Sequence, residues 1–283
     1  MIPQKNISII ANKLFEVNDK KGRRIPDGLI EKDYCLTWFL IGLSKSSLKG
    51  VLVFKGGTCL RRCYFRDYRF SEDLDFTLIK DIARDEIIEK LKKEVFPRVQ
   101  KESGVILDIN NIEEDTQNTH QFYVSFIGPL PKTTDPKTIK VDITFKETLV
   151  TAPIQSLIFK SYDEFEDIEE KYSILTYTVD EIMTEKICAL IDPARTEPRD
   201  LYDVWHLFNE KNINRDFLPD YVIKKLLFKG VDFEKRKNNL KGKGARFKKS
   251  WEQRLSQQIS NLPEFESVFR DVLSDFRDCK ISD

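Results

Sequence analysis

The sequence predicts an α/β (α+β) protein, with a mixed β-sheet flanked by helices and then a helical C-terminal domain. The chain has 283 residues, enough for two domains with buried cores. Short apolar, strand-like segments alternate with helical patterns up to about residue 175, and only helical spacing follows. We therefore predict domains of residues 1–175 and 176–283.

The composition is typical of a globular chain outside the membrane. Hydrophobic residues make up 40% and charged residues 33%, and no apolar run is long enough for a membrane-spanning helix. The N-terminal segment lacks the continuous apolar core of a signal peptide. Five cysteines without a C-x-x-C pair, and only two histidines, indicate reduced thiols rather than a zinc site. We expect a cytoplasmic protein with no membrane partner.

The first domain is predicted to begin with helices between residues 6 and 48. The strand VLVF (51–54) then runs into a glycine turn, and Thr58 is expected to N-cap the helix TCLRRCYF. The later predicted elements are the strand LDFTLI (74–79), a helix over 81–103, and the extended segments VILDINNIE, QFYVSFIGP and TIKVDITF.

The second domain is predicted to be helical, beginning with VDEIMTEKICALI (179–191) and PRDLYDVWHLF. Between residues 224 and 249, eleven Lys or Arg residues stand against two acids in a chain with zero net charge. Phenylalanines interleave with these cations, which is the pattern of an RNA-binding surface. A solvated helix face with a mobile loop explains the same pattern, and both interpretations stay open.

Two closely spaced aspartates are the main chemical signal. In DLDF, side chains alternate along the strand, so Asp73 and Asp75 share one face. Adjacent carboxylates repel each other unless a cation lies between them, and hard oxygen ligands suit Mg²⁺. The alternative is the solvated face of an edge strand.

A third carboxylate is predicted on TIKVDITF. Alternation there places Asp142 on the polar face with Lys140 and Thr144. The buried face is predicted to comprise Ile139, Val141, Ile143 and Phe145. Asp142 could thus complete a two-metal site of the kind used in phosphoryl or nucleotidyl transfer.

The turn Lys55-Gly56-Gly57-Thr58 joins a strand to a helix. Glycines let a backbone approach a phosphate closely, and the N-terminus of the following helix attracts an anion. The turn is neither a Walker A motif nor a G-x-G-x-x-G fingerprint. Taken alone, it could be an ordinary turn. The order of this turn and the three aspartates along the chain favours a nucleotidyltransferase-type site.

These segments resemble the signature of the AbiEii/AbiGii toxin nucleotidyltransferases, a branch of the DNA polymerase β-like superfamily to which the MenT toxins also belong. FKGGTCLRRCY with RFSEDLDF is similar to the first motif and IKVDITF to the second. VDEIMTEKICAL is similar to the third and RTEPRDLYDVW to the fourth. The similarity runs in order from about residue 30 to 207.

The resemblance implies roles for individual residues. The implied metal ligands are Asp73, Asp75 and Asp142, and the implied nucleotide-binding residues are Lys55, Gly56, Gly57, Thr58, Ser71 and Lys186. Ser71 matches a serine that some members modify, so it is also a candidate regulatory position. Asp200 is implied as an essential acid of the fourth motif. From spacing alone, a solvated helix residue is the favoured interpretation of Lys186.

The expected function is transfer of a nucleoside monophosphate from an NTP to an acceptor, with Mg²⁺ or Mn²⁺ as cofactor. The resemblance implies the 3′ end of tRNA as acceptor, growth arrest as outcome and a cognate antitoxin as a partner. A protein-modifying nucleotidyl- or phosphotransferase and a non-catalytic nucleotide- or RNA-binding module are the alternatives. The intact carboxylate set speaks against the latter.

Overall fold

The computed structural model describes residues 1–17, 24–116, 118–210 and 213–283. These residues contain a seven-stranded mixed sheet in the order β3-β4-β5-β2-β1-β7-β6. The strands are β1 (Leu52–Lys55), β2 (Leu74–Leu78), β3 (Ile106–Ile112), β4 (Thr119–Ile127), β5 (Lys137–Thr144), β6 (Ile154–Leu157) and β7 (Ser173–Thr176). The predicted mixed sheet is therefore confirmed.

Helices flank the sheet and make up most of the chain after β7. The helices before that point are α1 (Gln4–Val17), α2 (Asp27–Ser44), α3 (Gly56–Cys59), α4 (Arg84–Lys90) and α5 (Phe96–Ser103). Those after it are α6 (Val179–Ile191), α7 (Pro198–Asn209), α8 (Leu218–Phe228), α9 (Gly244–Leu255) and α10 (Phe265–Asp278). The change from strands to helices confirms the predicted order of elements.

The centre of the sheet pairs strands that are distant in sequence. β2 is antiparallel to β1 and parallel to β5, while β5 is antiparallel to β4. The inward-facing side chains of the two central strands are at most 1% exposed; they are Leu74, Phe76, Val141 and Ile143. Period-2 alternation therefore places the intervening aspartates on the more polar face.

One predicted core residue lies outside the core. Phe145 is 36% exposed, because β5 ends at Thr144 and the alternation stops with the strand. Its ring stacks on His120 at a centroid distance of 4.5 Å instead. The prediction that Phe145 belongs to the buried face was wrong.

The helix after the glycine turn begins earlier than predicted. α3 starts at Gly56 and continues without a break into a π-helical turn, Leu60–Tyr64. Thr58 is thus inside the helix and does not cap it. Its hydroxyl donates to the carbonyl oxygen of Asp73 and lies 2.8 Å from Ser71 Oγ. Thr58 therefore fastens the turn to the segment that carries the aspartates.

The predicted helix over 81–103 forms in three parts. α4 begins at Arg84, a π-helical segment (Leu91–Val95) follows, and α5 completes it. The π segment inserts a residue into the helical repeat, yet Ile87, Leu91 and Val95 are at most 1% exposed. These three apolar residues therefore still face the interior.

The chain divides into two compact units. The first comprises Met1–Glu147 and Pro153–Thr176 and holds the whole sheet. The second comprises Thr148–Ala152 and Tyr177–Asp283. Within the second unit, the backbone N–H groups of Val150 and Thr151 donate to Glu181 Oε2 at 2.8 and 2.7 Å. These bonds fix the short segment against α6.

A buried ion cluster holds the helix that follows the turn. Arg61 and Arg62 are 2% and 0% exposed, and both bind the Asp33 carboxylate, which is 1% exposed on α2. Burial alone raises the pKa of Asp33, but the two guanidinium groups outweigh it and hold that pKa below its ordinary value. Arg61 also donates to Tyr162 Oη at 2.6 Å, and Arg62 to Ser161 Oγ at 2.6 Å. The cluster thereby joins α2, the turn and the loop before β7.

No helix in the described parts of the chain is long and apolar enough to cross a bilayer. All five cysteines are buried and none of them forms a disulfide. Cys59 and Cys63 are 0% and 6% exposed on the helix that begins at Gly56. Both are therefore small residues of the core.

Substitution of Asp33 by Ala should destabilise the first unit strongly. Two buried guanidinium groups would lose their shared carboxylate, and breaking a buried pair in this way costs about 3–5 kcal/mol. Urea unfolding followed by far-UV circular dichroism measures the change. Asp85→Ala is the matched control, since the Asp85 side chain is 88% exposed, and it should unfold like the wild type. Equal stability of both variants would contradict the proposed importance of the cluster.

Candidate active site

A row of polar residues crosses the centre of the sheet. Asp75 on β2 is the register partner of Asp142 on β5. Lys55 on β1 pairs with Asp75, and Gln121 on β4 pairs with Asp142. Register partners on neighbouring strands share one face of a sheet, so the pairing brings two of the three predicted carboxylates side by side.

Asp73 lies one residue before β2, which begins at Leu74. Its backbone carbonyl accepts the Thr58 hydroxyl, and the residue is half-buried. The sequence predicted that Asp73 and Asp75 would share one strand face. In the structure, Asp73 lies just before the first residue of that strand, and the Thr58 hydroxyl of α3 holds its backbone carbonyl.

Lys140 binds the Asp142 carboxylate. The distance from Lys140 Nζ to Asp142 Oδ2 is 2.7 Å, and both side chains are partly exposed. Burial lowers the pKa of Lys140, but the hydrogen bond and charge of Asp142 and the charge of Asp73 outweigh it and raise that pKa above its ordinary value. The ammonium therefore stays charged and balances the carboxylates.

The donor atoms fit a hard divalent cation. Asp142 Oδ1 is buried and has no hydrogen-bond partner among the described residues. A buried carboxylate oxygen without a partner is unfavourable, and a cation would satisfy it. The described residues nevertheless contain no ready-made group of three or more His, Cys, Asp or Glu side chains that could hold a metal. Among the described residues, the predicted carboxylate ligands therefore do not form a single coordination shell.

The glycine turn packs tightly against the aspartate segment. Gly56 has a φ of +79°, and a Cβ at this position would lie 2.5 Å from Asp75 Oδ2. A Cβ at Gly57 would lie 2.5 Å from Arg69 Nη2 and 3.2 Å from Ser71 Oγ. Only glycine at both positions lets the backbone approach these groups so closely. The turn, the Ser71 hydroxyl and the Asp75 carboxylate are therefore neighbours.

Arg69 is a candidate site residue that the sequence reasoning missed. Its side chain is 4% exposed, with the guanidinium against Gly57. An arginine beside a glycine turn is well suited to bind a phosphate. In the sequence, Arg69 lies between the turn and the two aspartates, which is only a weak indication of a site residue. Its contact with Gly57 exists only in the folded chain.

In the second unit, Lys186 is an ion-pairing residue. Its Nζ lies 2.6 Å from Asp200 Oδ1 and 2.9 Å from Asp203 Oδ2, and both aspartates are at most 1% exposed. Arg195 Nε binds Asp200 Oδ2 at 2.6 Å. The interpretation of Lys186 as a merely solvated helix residue was wrong, since α6 and α7 enclose its ammonium between two carboxylates.

Part of the basic stretch 224–249 stabilises the second unit. Lys243 is 1% exposed and donates to the carbonyl oxygens of Leu190, Asp192 and Arg195, while burial lowers its pKa to about 8. Lys225 is fully buried and pairs with Glu181 at 2.7 Å. Both lysines are structural, so neither belongs to an RNA-facing surface.

Replacing Gly56 by Ala should strain the turn. A residue with a side chain at φ +79° costs about 1–2 kcal/mol, and the added Cβ would also collide with the Asp75 carboxylate. Thermal unfolding should therefore show a lower midpoint. Gly28→Ala is the control, because no atom lies within 4 Å of a Cβ there and alanine favours a helix. Equal unfolding midpoints for the two variants would contradict the close contact between Gly56 and Asp75.

The stability of the second unit should depend on pH through Asp200. Burial alone raises the pKa of Asp200, but Lys186 and Arg195 outweigh it and hold that pKa below its ordinary value. A carboxylate whose pKa is lower in the folded state contributes stability above its unfolded pKa, about 4, and loses it as the pH falls further. Unfolding midpoints at pH 6, 5, 4 and 3 measure the effect.

The wild type should lose more stability over this range than Asp200→Asn, which cannot titrate. Asp220→Asn serves as control, since Asp220 is an exposed residue of α8. Parallel pH curves for the wild type and Asp200→Asn would refute the assigned role of this carboxylate.

Solved structures of low sequence identity resemble this fold. A comparison with curated protein sequences found no match. The solved structure of MenT4, a nucleotidyltransferase toxin from Mycobacterium tuberculosis H37Rv, is similar with a TM-score of 0.59 and 18% identity, covering 91% of this chain and 85% of that one. JHP933 from Helicobacter pylori is similar with a TM-score of 0.56 and 20% identity, covering 90% of this chain and 93% of that one. These likenesses support the fold.

The family match extends beyond the fold. The family described as "Nucleotidyl transferase AbiEii toxin, Type IV TA system" matches residues 38–276, which include every candidate site residue described above. The chain therefore belongs to the AbiEii family of nucleotidyl transferase toxins and is a nucleotidyltransferase.

Proposed function

We propose that this protein transfers a nucleoside monophosphate from an NTP to the 3′ end of tRNA and releases pyrophosphate. The observation that carries this proposal is that Asp75 and Asp142 are register partners beside the glycine turn, with Asp142 Oδ1 buried and without a hydrogen-bond partner among the described residues. A pair of carboxylates next to a close-approach turn suits a reaction in which phosphate charge must be positioned and balanced.

The proposed reaction forms one bond and breaks one. The oxygen of an acceptor hydroxyl attacks the α-phosphorus, and the bond from this phosphorus to the oxygen leading to the β-phosphate breaks. Asp142 would orient the attacking hydroxyl and receive its proton, since Lys140 engages only Oδ2. Gly56, Gly57 and Arg69 would hold the triphosphate, because the turn carries no side chains at these two positions and the Arg69 guanidinium lies against Gly57.

Asp73, Asp75 and Asp142 are the residues that would hold Mg²⁺ or Mn²⁺. When bound, such a cation neutralises the phosphate oxygens and the developing negative charge. The oxygen-only donor set fits these metals better than zinc. Thr58 and the Asp73 carbonyl would keep the ligand segment against the turn.

We also propose that Lys186 and Asp200 are essential for activity, with Lys186 binding nucleotide phosphate. An ammonium already held by two carboxylates is fixed in position, and Arg195 fixes Asp200 in turn. Family membership further favours a cognate antitoxin as a partner, as its type IV toxin–antitoxin description implies.

A transfer assay tests the proposal. The full chain is incubated with Mg²⁺, total tRNA and each of the four α-labelled NTPs in turn. We expect label on tRNA from at least one NTP, loss of label with EDTA, and no transfer of γ-label. Asp75→Ala and Asp142→Ala should reduce the rate by about 100-fold or more.

The matched control is Asp108→Ala, which removes an exposed aspartate from β3 of the same sheet and should retain wild-type activity. Label on protein rather than tRNA would identify a protein-modifying enzyme. Binding of NTP without any transfer to either acceptor would contradict the proposed reaction.

A further inference from the structure

The Lys140 ammonium lies beside the Asp142 carboxylate, where a divalent cation would bind. Lys140 precedes Asp142 by two residues on β5, so both side chains lie on one face of the strand. Its ammonium is 2.7 Å from Asp142 Oδ2. Asp142 is one of the three proposed metal ligands, so the ammonium lies directly beside the proposed metal site.

An ammonium and a divalent cation cannot share this place. Lys140 already holds Oδ2 of Asp142, so a divalent cation on Oδ1 of the same carboxylate would lie only a few ångströms from the ammonium, and the two positive charges would repel each other. The Lys140 side chain is 32% exposed and has four rotatable bonds, so its ammonium can move from Asp142 to another rotamer. Its partner carboxylate is also partly exposed, at 22%.

Lys137, which also lies on β5, has a structural role. Lys137 Nζ binds Glu31 Oε2 at 2.7 Å, and the Glu31 side chain is fully buried on α2. That carboxylate also accepts the backbone N–H of Leu130, so the pair joins α2 to the segment before β5. The Lys140 ammonium instead binds Asp142 of its own strand, so this ion pair does not join two elements.

We propose that Lys140 is a resident counter-ion that competes with the divalent cation for Asp142 and thereby sets the metal affinity of the site. This inference rests on the proposed function, since it presumes that Asp142 is a metal ligand. In the metal-free protein Lys140 limits repulsion among the carboxylates. Once displaced, its ammonium is available to bind a phosphate of the NTP. Lys140 is therefore a positioning residue whose effect appears first in metal binding.

The experiment is a Mn²⁺ titration of the full chain without nucleotide, with free Mn²⁺ measured by electron paramagnetic resonance. Lys140→Met should bind Mn²⁺ about fivefold more tightly than the wild type, the effect expected for removing one partly exposed ion pair. Lys140→Arg keeps the charge and should bind no more tightly than the wild type. Asp142→Asn should bind at least about tenfold more weakly, because it removes a charged ligand.

Lys146→Met is the matched control, since it removes one exposed lysine just beyond β5 and should leave the affinity unchanged. Circular dichroism verifies that each variant is folded, and Lys140→Gln replaces Lys140→Met if the latter is not. Equal affinity of the wild type and Lys140→Met, with loss in Asp142→Asn, overturns this inference and leaves the proposed function intact. No Mn²⁺ binding by either the wild type or Lys140→Met overturns both.

Discussion

The parallel pairing of β2 with β5 is the constraint on which the candidate active site depends. Its register sets Leu74 opposite Val141 and Phe76 opposite Ile143, with all four side chains in the core. The same register places the two aspartates opposite each other. A slip of one residue would move the apolar side chains to the polar face and the aspartates into the core, so burial of the apolar residues fixes the carboxylate pair.

Charge balance is the second theme of the structure. Each buried cation described above has an oxygen partner nearby, as burial of an unpaired charge requires. Arg61 and Arg62 share Asp33, and Lys225 pairs with Glu181. These pairs hold elements together, whereas the partly exposed pair of Lys140 and Asp142 lies within one strand. The buried pairs are therefore structural, whereas the Lys140–Asp142 pair can separate and let another cation bind the Asp142 carboxylate.

Backbone shape explains the glycine turn. A positive φ at Gly56 and the contact of Gly57 with the Arg69 guanidinium leave no room for side chains, so the backbone lies directly beside charged groups. The buried cluster around Asp33 anchors the helix that follows, which keeps the turn in place. Rigid support behind a closely approached backbone is what a phosphate-binding turn requires.

The sequence by itself determined five of the seven described strands, the alternation of LDFTL and KTIKVDIT, and the identity of the aspartates, because a strand's period and a glycine pair are local properties. It did not indicate β6 and β7, which are only four residues long. Only the tertiary structure decided that Asp75 and Asp142 are register partners, since 66 residues separate them in the sequence and no local pattern shows which strands pair. It also assigned Arg69 to the turn and buried Lys225 and Lys243, which look like solvated charges in the sequence. Long-range packing sets such contacts, and no local pattern encodes which cation finds which carboxylate.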